Sequence, residues 1–286
     1  MFAYARAEYY MINSELRSGI QHSQKGTIRF LKETEDLIDG LETGGKPVLY
    51  RLDSGNDSKD IYSYLSSRKR FFLVKRNIRR NDTETLIRSC IEMHEEKTKW
   101  KDSARKTSEY IGYMDGKADN PYSMYTVFRL LEHMNDKDGQ PLLFPEYEIE
   151  LYATNLPEDP GTIIDLYHDH ANCEQAHSEL KGDMCFEKLS SGKFPVNSTL
   201  LSVAMISFNI LRMIGQTALS SGLYDTGEDI SRRRLRKVID DLIRFAGKLV
   251  KDGRRMLLYI SENAAYSSLF MKLWGCFSIY LPRYIV

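Results

Sequence analysis

The chain has 286 residues, long enough for one large domain with a real core, and its 42% hydrophobic and 28% charged residues are those of a globular protein. Its 40 basic and 40 acidic residues cancel, which at face value argues against a generally basic nucleic-acid binder. The N-terminus MFAYARAEYY has no basic segment leading into an apolar one, and the apolar run 200–211 is short and broken by Ser202, Ser207 and Asn209, so neither a secretion signal nor a membrane span is expected. Cys90, Cys173, Cys185 and Cys276 form no CxxC pair, which fits a reducing cytoplasm and excludes a disulfide framework, and no glycine-rich phosphate loop or GxSxG elbow is present.

Residues 2–17, rich in Tyr, Phe and Ile, read as strand. An amphipathic helix is predicted over 26–41, with Ile28, Leu31, Ile38 and Leu41 inward. Residues 48–53 read as a strand, 58–67 as a short helix, 71–74 as a strand covered on both faces, and 82–94 as a helix. This β-α-β order implies an α/β sheet with some parallel pairing. From 97 to 155 the strands alternate, as in Met124-Thr126-Phe128-Leu130 and Ile149-Leu151-Ala153. Alternation implies antiparallel, half-exposed strands, read here as an insertion. Helices are then predicted over 160–182, 197–219, 231–251 and 264–275, the second apolar nearly all round and therefore buried. The division is 1–96, the first part of the core; 97–155, the β-rich insertion; 156–220, two core helices; and 221–286, a basic helical region.

On a helical wheel Tyr167, His170, Glu174 and Lys181 fall within an arc of about 60°. Leu166, Cys173, Ala176, Leu180 and Met184 gather on the other side. One face suits packing; the other carries a phenol, an imidazole, a carboxylate and an ammonium. A solvated polar face explains this as well as a functional one. A zinc set of His168, His170, Cys173 and His177 suffers because the first two point about 200° apart. Asp53 ends a buried strand before Ser-Gly. It reads either as a turn or helix cap, or as a metal-binding carboxylate at a strand's C-terminal edge.

Arg51-Leu52-Asp53-Ser54-Gly55-Asn56-Asp57 resembles the second-aspartate motif of the DDE transposases of bacterial insertion sequences. Tyr167-His168-Asp169-His170, Glu174-Gln175 and Ser178-Glu179-Leu180-Lys181 resemble their third-acid helix, with His170 where the broad pattern has Arg, as in a Tyr-His-Asp-His subgroup. The likeness continues through Leu189–Phe194, Asn197 and Asn209–Arg212, and upstream through Glu15–Gly19 and Gln21-His22, so it covers nearly the whole chain. It implies an α/β fold with an RNase H-like core, here with its first strand missing, plus an antiparallel β-rich insertion and a C-terminal helical region. It also implies cut-and-paste transposition. Three carboxylates would hold two Mg²⁺ (or Mn²⁺) ions for in-line phosphoryl transfer, with Asp53 and Glu174 as two of them. Tyr167 and Lys181 would bind DNA phosphates, and His170 would do so more weakly than Arg for want of a bidentate fork. The implied partners are double-stranded DNA at element ends and a second protomer in a synaptic complex, on the nucleoid and with no membrane.

The family's first Asp is not found. In residues 1–46 the aspartates are Asp36 and Asp39, both in a predicted helix. The expectation is an N-terminally truncated chain with little activity of its own, since two carboxylates bind a metal pair poorly. Charge is also blocked out unevenly. Residues 68–80 carry seven cations and no acid, 231–255 ten cations and three acids, and 132–160 eight acids and one Lys. Arg232, Arg233, Arg234, Arg236 and Lys237 sit at the start of the predicted 231–251 helix, where the dipole disfavours cations, which hints at phosphate binding. Trp100 is a candidate for stacking on an unpaired base or for core packing. The rival readings are a non-catalytic DNA-binding remnant, another RNase H-like nuclease, and a helical interaction module with no nucleic-acid role.

Overall fold

The computed structural model describes residues 1–5, 9–22, 24–41, 46–78, 83–94, 96–98, 105–115, 122–168, 172–222, 230–244, 246–261 and 265–278. The elements begin with β1 (Phe2–Tyr4), β2 (Met11–Ser14), α1 (Thr27–Asp39), β3 (Leu49–Leu52), α2 (Lys59–Ser67), β4 (Phe71–Lys75) and α3 (Thr83–Met93). Next come β5 (Glu96–Thr98), β6 (Thr107–Asp115), β7 (Tyr125–Asn135), β8 (Pro141–Thr154) and α4 (Pro160–His168). Then follow α5 (Asn172–Ser178), α6 (Phe194–Ser220), α7 (Leu235–Val238), β9 (Gly247–Asp252), β10 (Arg255–Ile260) and α8 (Ser267–Ser278). The chain forms two units. Ser18–Ala171 is the sheet unit, and Met1–Arg17 joins Asn172–Val286 in a helical unit.

In the sheet unit the described strands run β3-β4-β8-β7-β6-β5. Only the β3–β4 pair is parallel, Leu49 opposite Phe71 and Leu52 opposite Val74. β4 meets β8 antiparallel, so the alternating strands of the 97–155 stretch continue the same sheet. The apolar run of β4 is covered on both faces, as expected. Phe72 and Val74 pack with Leu31 of α1 and Ile61, Tyr62 and Leu65 of α2; Leu73 packs with Ile163 and Ile164 of α4. The expectation of half-exposed strands fails at the sheet centre. Thr126, Val127 and Phe128 are consecutive and all buried, because α4 covers Val127 while α3 covers Phe128. Helix α1 bears out Leu31 and Ile38, which pack into the core, but not the rest of the expected face. Phe30, Leu31, Thr34 and Glu35 are buried, whereas Ile28 and Leu41 are exposed.

In the helical unit β1 and β2 form an antiparallel hairpin, Phe2 opposite Ser14. Asn209 of α6 reaches this hairpin with both ends of its amide. Its Oδ1 accepts the Met11 N–H at 2.8 Å and its Nδ2 donates to the Met11 carbonyl at 2.8 Å. One side of α6 carries Leu201 and Phe208 into a core with Tyr9, Met11, Ala176, Leu180 and Leu235. Further along, Ala218 packs with Val238, Leu242, Leu269 and Leu273. The opposite side of α6 corrects the expectation of all-round burial: Val203, Ile206, Ile210 and Met213 are exposed. By length and composition alone α6 would also reach across a bilayer. Its Asn209 and Arg212, however, are bonded into protein.

The expected 231–251 helix is corrected too. The helical backbone covers Leu235–Val238 and closes in a wide turn over Ile239–Ile243; β9 and β10 then pair as a hairpin, Leu249 opposite Leu258. Leu235 and Leu242 are buried, but Leu249, at the same helical spacing, is exposed. The sequence signal for the hairpin is Asp252-Gly253. Gly253 takes φ +57° in a two-residue loop, a conformation that only glycine adopts without strain.

Candidate active site

Asp53 follows β3 directly and opens the short turn Ser54–Asn56. The turn is locked by its own residues. The Asn56 N–H donates to the Asp53 carbonyl at 3.0 Å, and the Asn56 Nδ2 donates to Asp53 Oδ1 at 2.7 Å. Asn56 is buried and accepts from the Thr27 hydroxyl at 3.2 Å, so the start of α1 positions the residue that positions Asp53. Asp57, four residues on, is a latch. It accepts from the Tyr62 hydroxyl at 2.5 Å and from the Asn77 N–H at 2.8 Å. Burial, reinforced by the bond to Asp57, pushes the Tyr62 phenol far above its ordinary value. Asp53 itself is exposed. The two aspartates of one motif thus separate by geometry: one is spent on structure and one faces solvent. Asn56 and Thr27 as supports were missed; the run Asp-Ser-Gly-Asn-Asp, dense in turn-forming side chains, was the available signal.

Tyr167, near the end of α4, lies beside Asp53. Its phenol is pushed up to about 12, by burial first and then by the carboxylates of Asp53 and Glu150, against an opposing Arg51. Its ring packs on Tyr152 at 4.8 Å, and Arg51 donates to the Leu166 carbonyl at 2.6 Å, pinning this end of α4 to β3. The Arg51–Leu166 bond thus sets this end of α4 against the end of β3 that Asp53 follows, within the sheet unit. His170 lies outside the described residues, as do Arg79, Arg80 and Trp100. The predicted helix 160–182 is described as α4 up to His168 and α5 from Asn172.

Of the zinc alternative's members, His170 lies outside the described residues and the Cys173 side chain is not described. His168 approaches Glu150 at 3.3 Å, and His177 packs against the rings of Phe2 at 5.2 Å and Tyr4 at 5.4 Å. Among the described residues no three His, Cys, Asp or Glu gather as a metal cluster.

Glu174 lies in the first turn of α5 and Lys181 in the turn after it; both are exposed, while Ala176 and Leu180 between them are buried. The expected two-sided segment is present. Beneath it runs an ion network that sequence pattern missed. Glu179 is buried and bonds Arg212 of α6 and, at 2.7 Å, Arg232. Arg212 is fully buried. It also donates to the Arg233 carbonyl at 2.9 Å, and its Nε has no hydrogen-bond partner among the described residues. Desolvation lowers the Arg212 pKa despite the Glu179 carboxylate. Arg232 further donates to the Gln175 side chain at 2.7 Å, one residue from Glu174.

The other cations of the 232–237 run are also paired. Arg234 grips Asp183 with Nε at 2.9 Å and Nη2 at 3.0 Å. Asp183 also takes the Arg236 N–H at 3.2 Å. Arg233 and Lys237 face Asp241 at 3.6 and 3.1 Å. Arg232 and Arg233 keep only 9% and 16% of their side chains exposed, against 57%, 64% and 52% for Arg234, Arg236 and Lys237. In the 68–80 segment, Arg68 and Arg70 bind the buried Glu35, and Lys75 binds Glu150.

A mixed sheet flanked by helices is consistent with the RNase H-like fold of DDE transposases. The model of the family described as transposase DDE domain group 1 matches residues 1–277, and the chain belongs to that family. A search of curated proteins found no match. The family's activity is DNA transposition, a form of DNA recombination, and its members act on DNA with a divalent metal.

Proposed function

We propose that this chain is the DDE domain of an insertion-sequence transposase, with Asp53 as the second and Glu174 as the third catalytic acid. The observation that carries this reading is Asp53 itself. It is exposed at the C-terminal end of β3, one oxygen oriented by Asn56, with the Tyr167 phenol beside it. A carboxylate held in this way offers the hard oxygen that Mg²⁺ or Mn²⁺ prefers. Asp53 and Glu174 would hold the metal, which supplies charge stabilisation at the scissile phosphate and activates water or a 3′-hydroxyl. Tyr167 stays protonated at neutral pH and donates a hydrogen bond to a phosphate oxygen. Lys181 adds a cation, and His170 takes the same role at its position. The Glu179–Arg212–Arg232 network keeps the Glu174 segment seated on its core. The role of Arg232, Arg233, Arg234, Arg236 and Lys237 in binding DNA narrows to the last three, whose charges remain partly exposed.

The substrate is double-stranded DNA at element ends, brought together by two protomers in a synaptic complex on the bacterial nucleoid, in the cytoplasm. Residues 1–286 supply two acids of the triad. On their own they suffice for one Mg²⁺ completed by substrate phosphates, not for two, so little strand cleavage is expected. Purified 1–286 should bind Mn²⁺ weakly by calorimetry, and Asp53→Ala and Glu174→Ala should each remove that binding. Metal binding unchanged in both variants overturns the assignment of the acids. Efficient Mg²⁺-dependent cleavage of DNA ends, abolished by Asp53→Ala, overturns the expected inactivity.

A further inference from the structure

The cations of the helical unit divide sharply by partner. Those at 232–237 face Glu179, Asp183 or Asp241. Lys248, Lys251, Arg254 and Arg255 stand on the β9–β10 hairpin, are all exposed, and make no ion pair among the described residues. Asp252 is the single acid within 246–260.

The hairpin is a two-stranded ribbon that pairs with no other described strand. Six residues per strand give it a length of roughly 20 Å. Residues directly opposite in an antiparallel pair share a face, so the register sorts the cations. Lys248 lies with Tyr259 on one face, Lys251 with Met256 on the other, and Arg254 and Arg255 lie at the tip. Cations on both faces and at the end suit a slot with anions on both walls. They suit a flat acidic surface poorly, since half of them would face away from it.

We propose that the β9–β10 hairpin enters a groove of double-stranded DNA, with Lys248, Lys251, Arg254 and Arg255 contacting the phosphates on either side. The major groove of B-form DNA is about 12 Å wide and admits a two-stranded β-ribbon. A phosphate-lined groove supplies the anions on two walls that the ribbon's charges require. The proposal rests on the reading of this chain as a DNA-acting transposase and adds a binding surface outside the acids and the 232–237 run.

The test is the salt dependence of binding to a 30-base-pair duplex. Each phosphate that the protein no longer neutralises lowers the slope of log K against log[salt] by about 0.9. Lys251→Gln/Arg254→Gln/Arg255→Gln in the whole chain should lower the slope by about two to three. Lys32→Gln/Lys106→Gln/Lys137→Gln removes as much charge from exposed positions of the sheet unit and should leave it nearly unchanged. Circular dichroism should show all three proteins folded alike. A steep slope in the unmodified chain with equal slopes in both variants overturns the hairpin's role and leaves the DNA reading standing. Absence of binding by the unmodified chain at low salt overturns both. A hairpin variant that alters only the sedimentation coefficient, with its DNA slope intact, assigns the ribbon to a protein partner instead.

Discussion

Two basic segments of one unit, about 15 residues apart, behave in opposite ways. At 232–237 the guanidinium groups are turned onto Glu179, Asp183 and Asp241, the first two buried and both in the turn that follows α5. At 248–255 the same residue types stand in solvent on a ribbon with one acid. Charge counted along the chain cannot tell these apart, because the two buried acids that Arg232 and Arg234 bind, Glu179 and Asp183, lie 53 and 51 positions away. Arg232 and Arg233 belong to the stability of the unit, Arg234, Arg236 and Lys237 are paired yet partly exposed, and the second segment is unpaired among the described residues and open to a partner.

The contrast can be broken most sharply at Arg212. Removing one member of a buried ion pair strands the other, so Arg212→Ala should cost about 3–5 kcal/mol in urea denaturation. A cost below about 1 kcal/mol would mean that the Glu179 network is not structural. Asp183→Asn removes the charge and turns one of the two oxygens that accept from Arg234 and Arg236 into a donor, and a smaller loss of about 1–3 kcal/mol is expected from the same measurement. The sheet unit offers a pH counterpart. Burial alone would raise Glu150, but the hydrogen bonds from Lys75, Tyr152 and Arg129 outweigh it and hold the carboxyl at about 2. A carboxyl depressed on folding contributes stability that is present above its ordinary value near 4.5 and is lost as pH falls from there toward about 2. Urea midpoints should therefore drop over that window, and Glu150→Gln should flatten the drop. The smallest effect belongs to the hairpin. Lys251→Gln/Arg254→Gln/Arg255→Gln should change stability by less than about 0.5 kcal/mol per site. A larger loss would show that these cations hold the fold after all.

The sheet-unit core was legible because its strands carry signals that do not depend on distant residues. Phe72-Leu73-Val74 is apolar on both sides, and Asp53 stands at the end of the preceding strand before Ser-Gly. Helix α6 was harder. Val203, Ile206, Ile210 and Met213 are as apolar as the Leu201 and Phe208 that pack inward, so composition hides which side is covered. The β9–β10 hairpin was misread because Leu235, Ile239, Leu242, Ala246 and Leu249 keep helical spacing beyond the point where the backbone leaves the helix. The proposed acids, Asp53 and Glu174, were chosen from their motifs. Their supports were not legible there: Thr27 reaches Asn56 across 29 positions and Arg212 reaches Glu179 across 33.

The amide of Asn209 that holds Met11 joins positions 198 apart. The β1–β2 hairpin is made before the sheet unit, yet its partner helix follows only after that unit has been made. At roughly 5–20 residues per second, the interval is on the order of ten seconds or more. Through that time Tyr9 and Met11 wait without the surface that buries them, while residues 18–171 can fold as a unit. The helical unit is therefore completed last, and by its two ends together. Synthesis that stops before residue 209 leaves the opening hairpin unclosed, and with it an apolar strand pair open to any passing chain.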